Sequence, residues 1–467
     1  MAKTYLPYDL EQRMLLPQDM REWLVEGHLA LFVADVIAEL DLSAIHRVHA
    51  GKDDRGRAAY HPAMMLGLLV YGYCTGVRSS RRIERATYED VPVRVLAGGQ
   101  HPDHDSIAAF RKTHAKAFHE LFLQVLQLCQ KAGLVKLGHI AIDGTKIKAN
   151  ASKHKAMSYE RMEAAEQRLE EEVKELIEDA ERTDAEEDAK HGKGKRGDDL
   201  PEELKRRETR IKKIREAKAS LEQEAKERAA AQAAETQAKR AEREREAAEK
   251  GKKATGAKPP IPNPEQAVPE PKAQRNFTDP ESRVMPDGAN KGAFLQGYNA
   301  QVAVDGASQI IVAAHVTQNA NDVRELLPML KAIVENVGAL ATTTSADAGY
   351  FSVQNVTDPA LAGTTLLVPP RRPKHVSTPQ TGSNDADASA ADQMRFKLAT
   401  PEGKALYKMR KAIVEPVFGQ MKGPRQLRQF LLRGLEAVGA EYAFMALTHN
   451  LLKLFRSGAR VARPSTA

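Results

Sequence analysis

The chain has 467 residues, of which 42% are hydrophobic and 28% are charged, and its formal net charge at pH 7 is +7. This length allows two or three domains with cores of their own, and no segment approaches the roughly 18 consecutive apolar residues of a membrane-spanning helix. The two cysteines, Cys74 and Cys129, exclude a disulfide framework and a zinc cluster, and the first residues lack a signal-peptide pattern. We therefore expect a soluble, cytoplasmic protein with no membrane partner.

Charge is distributed unevenly along the chain. Residues 161–250 contain 27 acidic and 23 basic residues, a local net charge of −4, which leaves +11 for the rest of the chain. Residues 401–467 have 12 Lys or Arg against 4 Glu. A basic body of this kind indicates a polyanionic partner, most often nucleic acid, although a solvated basic surface is the simpler alternative.

The first 135 residues are predicted to be helical, because apolar residues recur at helical spacing, as in HLALFVADVIAELDL. One long helix is predicted to begin at Asp105 or Ser106, either of which would cap it, and to end at Gly133. An arginine-rich short helix followed by the start of this long helix is typical of a helix-turn-helix DNA reader. The candidate DNA contacts are Arg81, Arg82, Arg111 and Lys112. A helical bundle with solvated arginines is the alternative.

Residues 158–250 form a distinct segment, since 50 of the 90 residues from 161 to 250 are charged. Two apolar stripes persist within it. They contain Met162, Leu169, Val173, Leu176 and Ala180 in one half and Leu204, Ile211, Ile214, Leu221 and Ala225 in the other. The turn-forming run HGKGKRGDDLP separates them, so an antiparallel coiled-coil hairpin is predicted, followed by a proline-rich linker over residues 251–275.

After the linker the periodicity becomes that of strands. GAFLQGYNAQVAVD alternates and QIIVAAHVT is continuously apolar, whereas NDVRELLPMLKAIVENVG predicts a capped helix. ATTTSADAGY and TTLLVPP predict two further strands, and a final long helix is predicted to break near Pro401. This order predicts an α/β sheet of mixed direction with helices packed outside it. If HIAID belongs to the same sheet, the hairpin is inserted between the first and second strands.

Three acids stand where apolar or turn residues are expected. Asp143 ends the predicted strand HIAID, Asp347 ends TTTSAD, and Glu415 lies in the apolar helical stretch RKAIVEPVFG. Burying an unpaired carboxylate is costly, but two strand ends and one helix could place three carboxylates around a pair of Mg²⁺ ions about 4 Å apart. Such a pair supports phosphodiester cleavage. Each acid has a structural alternative: a turn at Asp143 and Gly144, a loop at DAGY, and pairing of Glu415 with Lys411.

Four blocks in order resemble the DDE transposases of bacterial insertion sequences. The blocks are AIDGTKIKANAS, NFTDPESRVMPDGANKGAFLQGYNAQVAVD, SADAGYFS and YKMRKAIVEPVFGQMK. The sequence is similar to the branch with a helical N-terminal DNA-binding domain and a charged insertion near the first catalytic strand. The likeness covers nearly the whole chain outside the predicted coiled coil and the extreme termini. It implies an α/β catalytic core with an RNase H-like mixed sheet, an all-α N-terminal domain and an inserted coiled-coil hairpin.

The expected organisation follows from this resemblance and from the composition. The segments are a helical DNA-binding domain (1–135), the first part of the catalytic core (136–157), the inserted hairpin (158–250), the linker (251–275), the remainder of the core (276–457) and a disordered tail (458–467). The resemblance implies that Asp143, Asp347 and Glu415 are the catalytic acids and the ligands of two Mg²⁺ or Mn²⁺ ions, with Asp143 bridging both.

The resemblance also implies DNA contacts on the last long helix. Lys422 lies seven residues after Glu415, as the family pattern expects, and would hold a phosphate of the transposon end. Tyr407 and Arg410 match the family's tyrosine and arginine but lie one residue further from the glutamate than usual, and Lys411 occupies the usual arginine position.

The implied activity is transposition. The protein would bind the terminal inverted repeats in double-stranded DNA, cleave the DNA there, and join the freed 3′-hydroxyl to target DNA with the same two-metal site. A homodimer in a synaptic complex is expected, because two element ends must be brought together. Two alternatives are an RNase H-like nuclease or resolvase that cuts without joining, and a DNA-binding protein that has lost catalysis.

Overall fold

Helices alone make up the N-terminal region, as predicted. A computed structural model describes residues 19–50, 59–191, 202–249, 260–288, 290, 292–370 and 388–459. After a short 3₁₀ turn at Met20–Trp23, the helices are α1 (Leu29–Glu39), α2 (Ser43–Ala50), α3 (Pro62–Thr75), α4 (Ser80–Glu89), α5 (Val91–Leu96), α6 (His104–Thr113) and α7 (Ala117–Lys131). The side chains of α3 are buried almost all round, because its residues are nearly all apolar.

The prediction of a single long helix from residue 105 is wrong, because the chain forms α6 and α7 with a break between them. α6 ends before His114, whose backbone leaves the helical conformation. Its N-cap is Asp103 rather than Asp105 or Ser106, since the Asp103 carboxylate accepts from the Ser106 amide at 2.8 Å. Gly133 has φ of +71° just after α7, so the predicted end of the helical segment is confirmed.

The rest of the described chain combines strands and helices. The strands are β1 (His139–Lys148), β2 (Ala156–Ser158), β3 (Gln274–Asn276), β4 (Arg283–Pro286), β5 (Phe294–Asp305), β6 (Ile311–Thr317), β7 (Thr343–Ser345) and β8 (Thr365–Leu367). The helices are α8 (Tyr159–His191), α9 (Glu202–Glu249), α10 (Leu326–Val337), α11 (Val353–Thr357), α12 (Ala390–Ala399), α13 (Pro401–Lys422) and α14 (Leu435–Arg456). The predicted break near Pro401 is confirmed, with Thr400 as the cap of α13.

Six of these strands form one sheet of mixed direction, which confirms the predicted sheet. β1 pairs antiparallel with β5 on one side and parallel with β7 on the other, and β7 pairs in parallel with β8. Both β4 and β6 pair antiparallel with β5. The order is therefore β6–β5–β1–β7–β8, with β4 beside the N-terminal part of β5. Because β1 is central, Ile140, Ala141 and Ile142 are fully buried on both faces of the sheet.

The prediction that the first strand ends at Asp143 is wrong. Pairing with β5 continues from Asp143, opposite Val302, to Lys148, opposite Gly297. The Asp-Gly dipeptide therefore lies inside a strand rather than in a turn. β7 differs, since it ends at Ser345, two residues before Asp347.

α8 and α9 are long helices that pack against each other. Their shared apolar cluster includes Met162 and Leu169 from α8 and Ile214 from α9, and Arg215 Nε lies 2.8 Å from Glu166 Oε1 across the seam. A coiled-coil geometry for this pair stays a prediction, and the predicted turn at 192–201 lies outside the described residues. Residues 251–259 of the predicted linker and 460–467 of the predicted tail also lie outside them.

The N-terminal helices and the sheet share one continuous hydrophobic core, which extends from α1 to α14. Two polar links join the N-terminal helices to the C-terminal part of the chain. The fully buried Glu441 carboxylate accepts from the Tyr73 hydroxyl at 2.7 Å. Arg78 donates to the carbonyls of Gln426 at 2.8 Å and Gln429 at 2.6 Å. Among the described helices, none is long and apolar enough to cross a membrane.

Candidate active site

Asp143 within β1 and Asp347, two residues past the end of β7, occupy equivalent positions relative to the pairing of these parallel strands. The last residues paired between β1 and β7 are Ala141 and Ser345. Asp143 and Asp347 each lie two residues beyond this pair. Their side chains are therefore expected on the same face of the sheet. Because adjacent strands lie about 4.8 Å apart and side chains two residues apart point to the same face, the two carboxylates are neighbours where β7 ends.

The Asp143 carboxylate is largely enclosed, with 20% of its side chain exposed. Its Oδ2 lies 2.9 Å from Arg410 Nη1, and its Oδ1 accepts from the Gly144 amide at 2.8 Å. Burial raises the pKa of Asp143 above its usual value, and the nearby charge of Asp347 raises it further, although Arg410 opposes both. The surroundings of Asp143 therefore favour additional positive charge.

The Asp347 carboxylate is oriented by the tight turn that follows β7. Asp347 caps the 3₁₀ turn at Ala348–Tyr350, and its Oδ1 accepts from the Gly349 amide at 2.7 Å. A Cβ at Gly349 would lie 2.8 Å from the same oxygen. Glycine is therefore required for the turn to approach the carboxylate this closely.

Glu415 is not grouped with the two aspartates. The helix α13 packs against β1 through the side that bears Arg410, and Glu415 lies about 140° around the helix from it, where it is exposed. The buried residues of α13 are Gly403, Arg410, Ile413, Val414, Val417 and Met421. Across the described ranges, no group of three or more His, Cys, Asp or Glu side chains is arranged to hold a metal ion. The structure thus brings together two of the three predicted acids.

Three of the four predicted DNA-contacting residues of α13 are at least partly buried. Arg410 pairs with Asp143, and its guanidinium carbon lies 5.9 Å from the ring centre of Tyr407. Lys422 Nζ donates to the hydroxyl of Thr145 and, at 3.1 Å, to the Lys146 carbonyl, so it is held against β1. The fourth, Lys411, is exposed.

The predicted contacts in the N-terminal helices divide into two kinds. Arg81 and Arg82 on α4 and Lys112 on α6 are exposed. Arg111 is only 5% exposed, and its Nη2 donates to the Arg78 carbonyl at 2.8 Å. Arg111 therefore stabilises the turn before α4, and its guanidinium does not lie on the surface where DNA would bind.

A third acid, Asp322, which the sequence did not predict, lies beside the turn that carries Asp347. Asn321 and Asp322 look like helix caps, but α10 begins four residues after Asp322, and Glu325 is its N-cap. Asp322 Oδ1 instead accepts from the side-chain amides of Asn299 and Gln301, each at 2.7 Å. The available signal was the presence of these two amides at alternate positions of the buried strand β5.

Comparison with protein families agrees with these features. The model of the Transposase domain (DUF772) matches residues 18–113, and the model of the Transposase DDE domain matches residues 263–451. Together these matches cover more than half of the chain. The chain belongs to the DDE transposases of insertion sequences.

This transposase is therefore an enzyme that acts on DNA, and its family generally uses divalent metal ions. The matched DDE range contains Asp347, Glu415 and Lys422 but begins after Asp143. No curated protein and no solved structure matches the chain significantly.

Proposed function

We propose that this transposase binds the terminal inverted repeats of its element, cleaves phosphodiester bonds there, and joins the 3′-hydroxyl to target DNA. The observation that carries the proposal is the juxtaposition of Asp143 on β1 and Asp347 just after the adjacent parallel strand β7, with basic residues of α13 beside them. The strand order β6–β5–β1–β7–β8 supports the RNase H-like core that the sequence resemblance implies.

Two Mg²⁺ or Mn²⁺ ions are the proposed cofactors. The donor set fits in part, because hard divalent cations prefer carboxylate oxygens and the enclosed Asp143 favours additional positive charge. When bound, such ions stabilise the attacking and leaving oxygens of a phosphodiester. Asp143 and Asp347 would hold them, and Glu415 is the proposed third acid.

The basic residues of α13 would position the DNA backbone beside the acids. Arg410 balances the charge of Asp143 in the free protein, and its planar guanidinium is suited to bidentate hydrogen bonding with a phosphate. Lys422, held by Thr145, would bind a phosphate further along β1. Tyr407 would support Arg410, whereas Lys411 would contact more distant phosphates from the exposed side of α13.

Contacts with the element ends would lie on the N-terminal helices. Arg81, Arg82 and Lys112 are exposed and would bind phosphates, which fix register and orientation rather than sequence. We retain the homodimer as the proposed assembly, since two ends must be paired. We also retain the coiled-coil hairpin as the proposed form of α8 and α9, and the bacterial cytoplasm, at the nucleoid, as the proposed site of action.

The proposal is tested with the full-length protein and labelled DNA that carries the repeats flanking its gene. With Mg²⁺ we expect cleaved ends and joined products. Asp143→Asn should lower cleavage roughly a thousandfold, because several kcal/mol of transition-state stabilisation are lost, while binding in a gel-shift assay is retained. The matched control is Asp305→Asn, a buried carboxylate at the far end of β5 that accepts three backbone amides, and it should cleave normally.

The outcomes separate the alternatives. Cleavage without any joined product would favour a nuclease or resolvase. Binding without cleavage by the unaltered protein would favour a DNA-binding protein that has lost catalysis. Loss of binding in Asp143→Asn would contradict the assigned role of Asp143.

A further inference from the structure

A buried polar cluster lies directly behind the candidate active site. We call it the Asp322 cluster, and its members are Lys146, Asn299, Gln301, Asp322 and Tyr350. The Asp322 Oδ1 atom accepts from both amides at 2.7 Å and lies 3.6 Å from Lys146 Nζ. Gln301 also donates to Asn299 Oδ1 at 3.1 Å and accepts from the Tyr350 hydroxyl. Both amides and Tyr350 are fully buried.

The Asp322 cluster lies on the opposite face of β1 from Asp143. Side chains alternate along a strand, so Asp143 and Thr145 share one face, whereas Gly144 and Lys146 share the other. The contacts agree with this alternation. A Cβ at Gly144 would lie 2.9 Å from Asp322 Oδ1, so glycine leaves the space that this carboxylate occupies.

The cluster also contacts the turn that carries Asp347. A Cβ added at Gly349 would lie 2.8 Å from Asp347 Oδ1 and 3.5 Å from Asp322 Oδ2. The two carboxylates therefore approach the same point from two chain segments. The buried Asn355 side chain ties these segments together, because it donates to the carbonyls of Val323 at 2.6 Å and Tyr350 at 2.8 Å.

Lys146 is the only cationic member of the Asp322 cluster, and 17% of its side chain is exposed. Burial lowers the pKa of Lys146, and the charges of Asp322 and, more weakly, Asp347 oppose this effect. The ammonium group is thus within electrostatic reach of both acids and contacts Asp322. Without the charge on Asp322, the remaining nearby carboxylate of the catalytic pair would attract it.

We propose that Asp322 is a positioning residue of this transposase: it holds the Lys146 ammonium away from Asp347 and, through Gln301 and Tyr350, fixes the turn that carries Asp347. The inference rests on the proposed function, since it takes Asp347 as a ligand for divalent ions. Asp322 acts here through Lys146 and the turn and does not itself contact DNA. Its role is to keep the Asp347 carboxylate available.

The test measures binding of Mn²⁺ to the full-length protein without DNA, by electron paramagnetic resonance of the free ion. Asp322→Asn keeps an oxygen that accepts from both amides but removes the charge that holds Lys146. We expect Mn²⁺ binding to weaken at least about tenfold, as is typical when a residue supporting a metal ligand is changed. The double variant Asp322→Asn/Lys146→Met removes the competing ammonium, so binding should return to within about threefold of the unaltered protein.

A role in folding alone predicts a different pattern. In that case the double variant would bind Mn²⁺ no better than Asp322→Asn, and this result would overturn the proposal. If Asp322→Asn does not fold, Lys146→Met alone decides: equal or tighter Mn²⁺ binding supports the proposal, and weaker binding overturns it. Asp305→Asn serves again as the buried-carboxylate control and should bind Mn²⁺ normally.

Two further variants separate this inference from the proposed function. Asp143→Asn and Asp347→Asn should each lose Mn²⁺ binding. If neither does, the proposed pair of metal ligands is wrong. If both do but Asp322→Asn binds Mn²⁺ normally, only the positioning role of Asp322 is wrong.

Discussion

The two faces of β1 at the candidate site are built from different chemistry. On one face, Asp143 and Thr145 meet Arg410 and Lys422, long basic side chains from a single helix. On the other, Gly144 and Lys146 meet buried amides that bond to one another and to Asp322. Long cationic side chains can exchange a carboxylate for a phosphate, whereas a fully satisfied buried network is rigid. On the proposed function, the first face would meet the substrate and the second would hold the first in place.

Of the substitutions that compare the two faces of β1, Gly144→Ala is expected to have the largest effect on stability and DNA cleavage. The added Cβ would lie 2.4 Å from Gln301 Nε2 and 2.9 Å from Asp322 Oδ1, so the rigid face must shift. Overpacking of this kind costs about 1–3 kcal/mol, so we expect a lower melting temperature. Because Asp143 is the preceding residue, DNA cleavage should fall about a hundredfold, since its geometry depends on this strand.

The matched control is Gly138→Ala, just before β1, where an added Cβ has no atom within 4 Å. Its cleavage and melting temperature should stay close to those of the unaltered protein. Equal behaviour of the two alanine variants would mean that the amide face does not support the site.

A smaller effect is expected on the other face from Arg410→Met. Removing the guanidinium raises the pKa of Asp143 further, because the cation that opposes burial is lost. At pH 7 cleavage should fall at least about tenfold, and it should recover partly as pH rises, since higher pH ionises the carboxylate. Lys411→Met is the comparison variant, because Lys411 is exposed on the same helix and is proposed to contact only more distant phosphates, and it should change cleavage less than about threefold. A larger loss of cleavage in Lys411→Met than in Arg410→Met would assign the family's arginine role to Lys411.

The smallest effect concerns a buried group outside both faces. His449 lies between α13 and the β5–β6 turn, with Nε2 2.8 Å from the Gln309 carbonyl and Nδ1 2.6 Å from Gln420 Oε1. Burial lowers the pKa of His449 to about 3. The unfolded chain binds this proton below its ordinary pKa of about 6.5, so the free energy of unfolding falls as pH drops from about 6.5 towards 3, by at most about 1.4 kcal/mol per unit.

Urea unfolding at pH 7.5 and 5.5 measures this loss. His449→Asn should show a smaller difference between the two conditions than the unaltered protein, although it is less stable in both. An unchanged difference would mean that the acid sensitivity arises at groups other than this histidine.

Local patterns in the sequence predict the sheet and the Asp143–Asp347 pair well. HIAID and TTTSAD each place an acid within or just beyond a strand, which is a local signal. The same local reasoning fails at Gly144. An Asp-Gly pair favours a turn, but the space for this glycine is set by Gln301 and Asp322, more than 150 residues away in the chain.

The missed features share this long-range origin. Asp322 has the position of a helix cap by local rules, yet its partners are amides about 20 residues earlier on β5. Arg111 has the spacing of a surface arginine, but its guanidinium is enclosed by the turn at Arg78. Glu415 lies in an apolar stretch, and only the packing of α13 on β1 determines that it is exposed.

The contacts of Arg78 affect the distance along the DNA between the sequence that the enzyme would bind and the bond that it would cut. Arg78 precedes α4 and binds the chain between α13 and α14, and the Tyr73–Glu441 bond fixes the preceding helix to the same part of the core. A DNA contact made by α4 would therefore lie at a constant distance from Asp143. The protein would then count a set number of base pairs from the sequence it holds to the bond it cuts. If this spacing were longer by half a helical turn, about five base pairs, the opposite side of the duplex would face the acids.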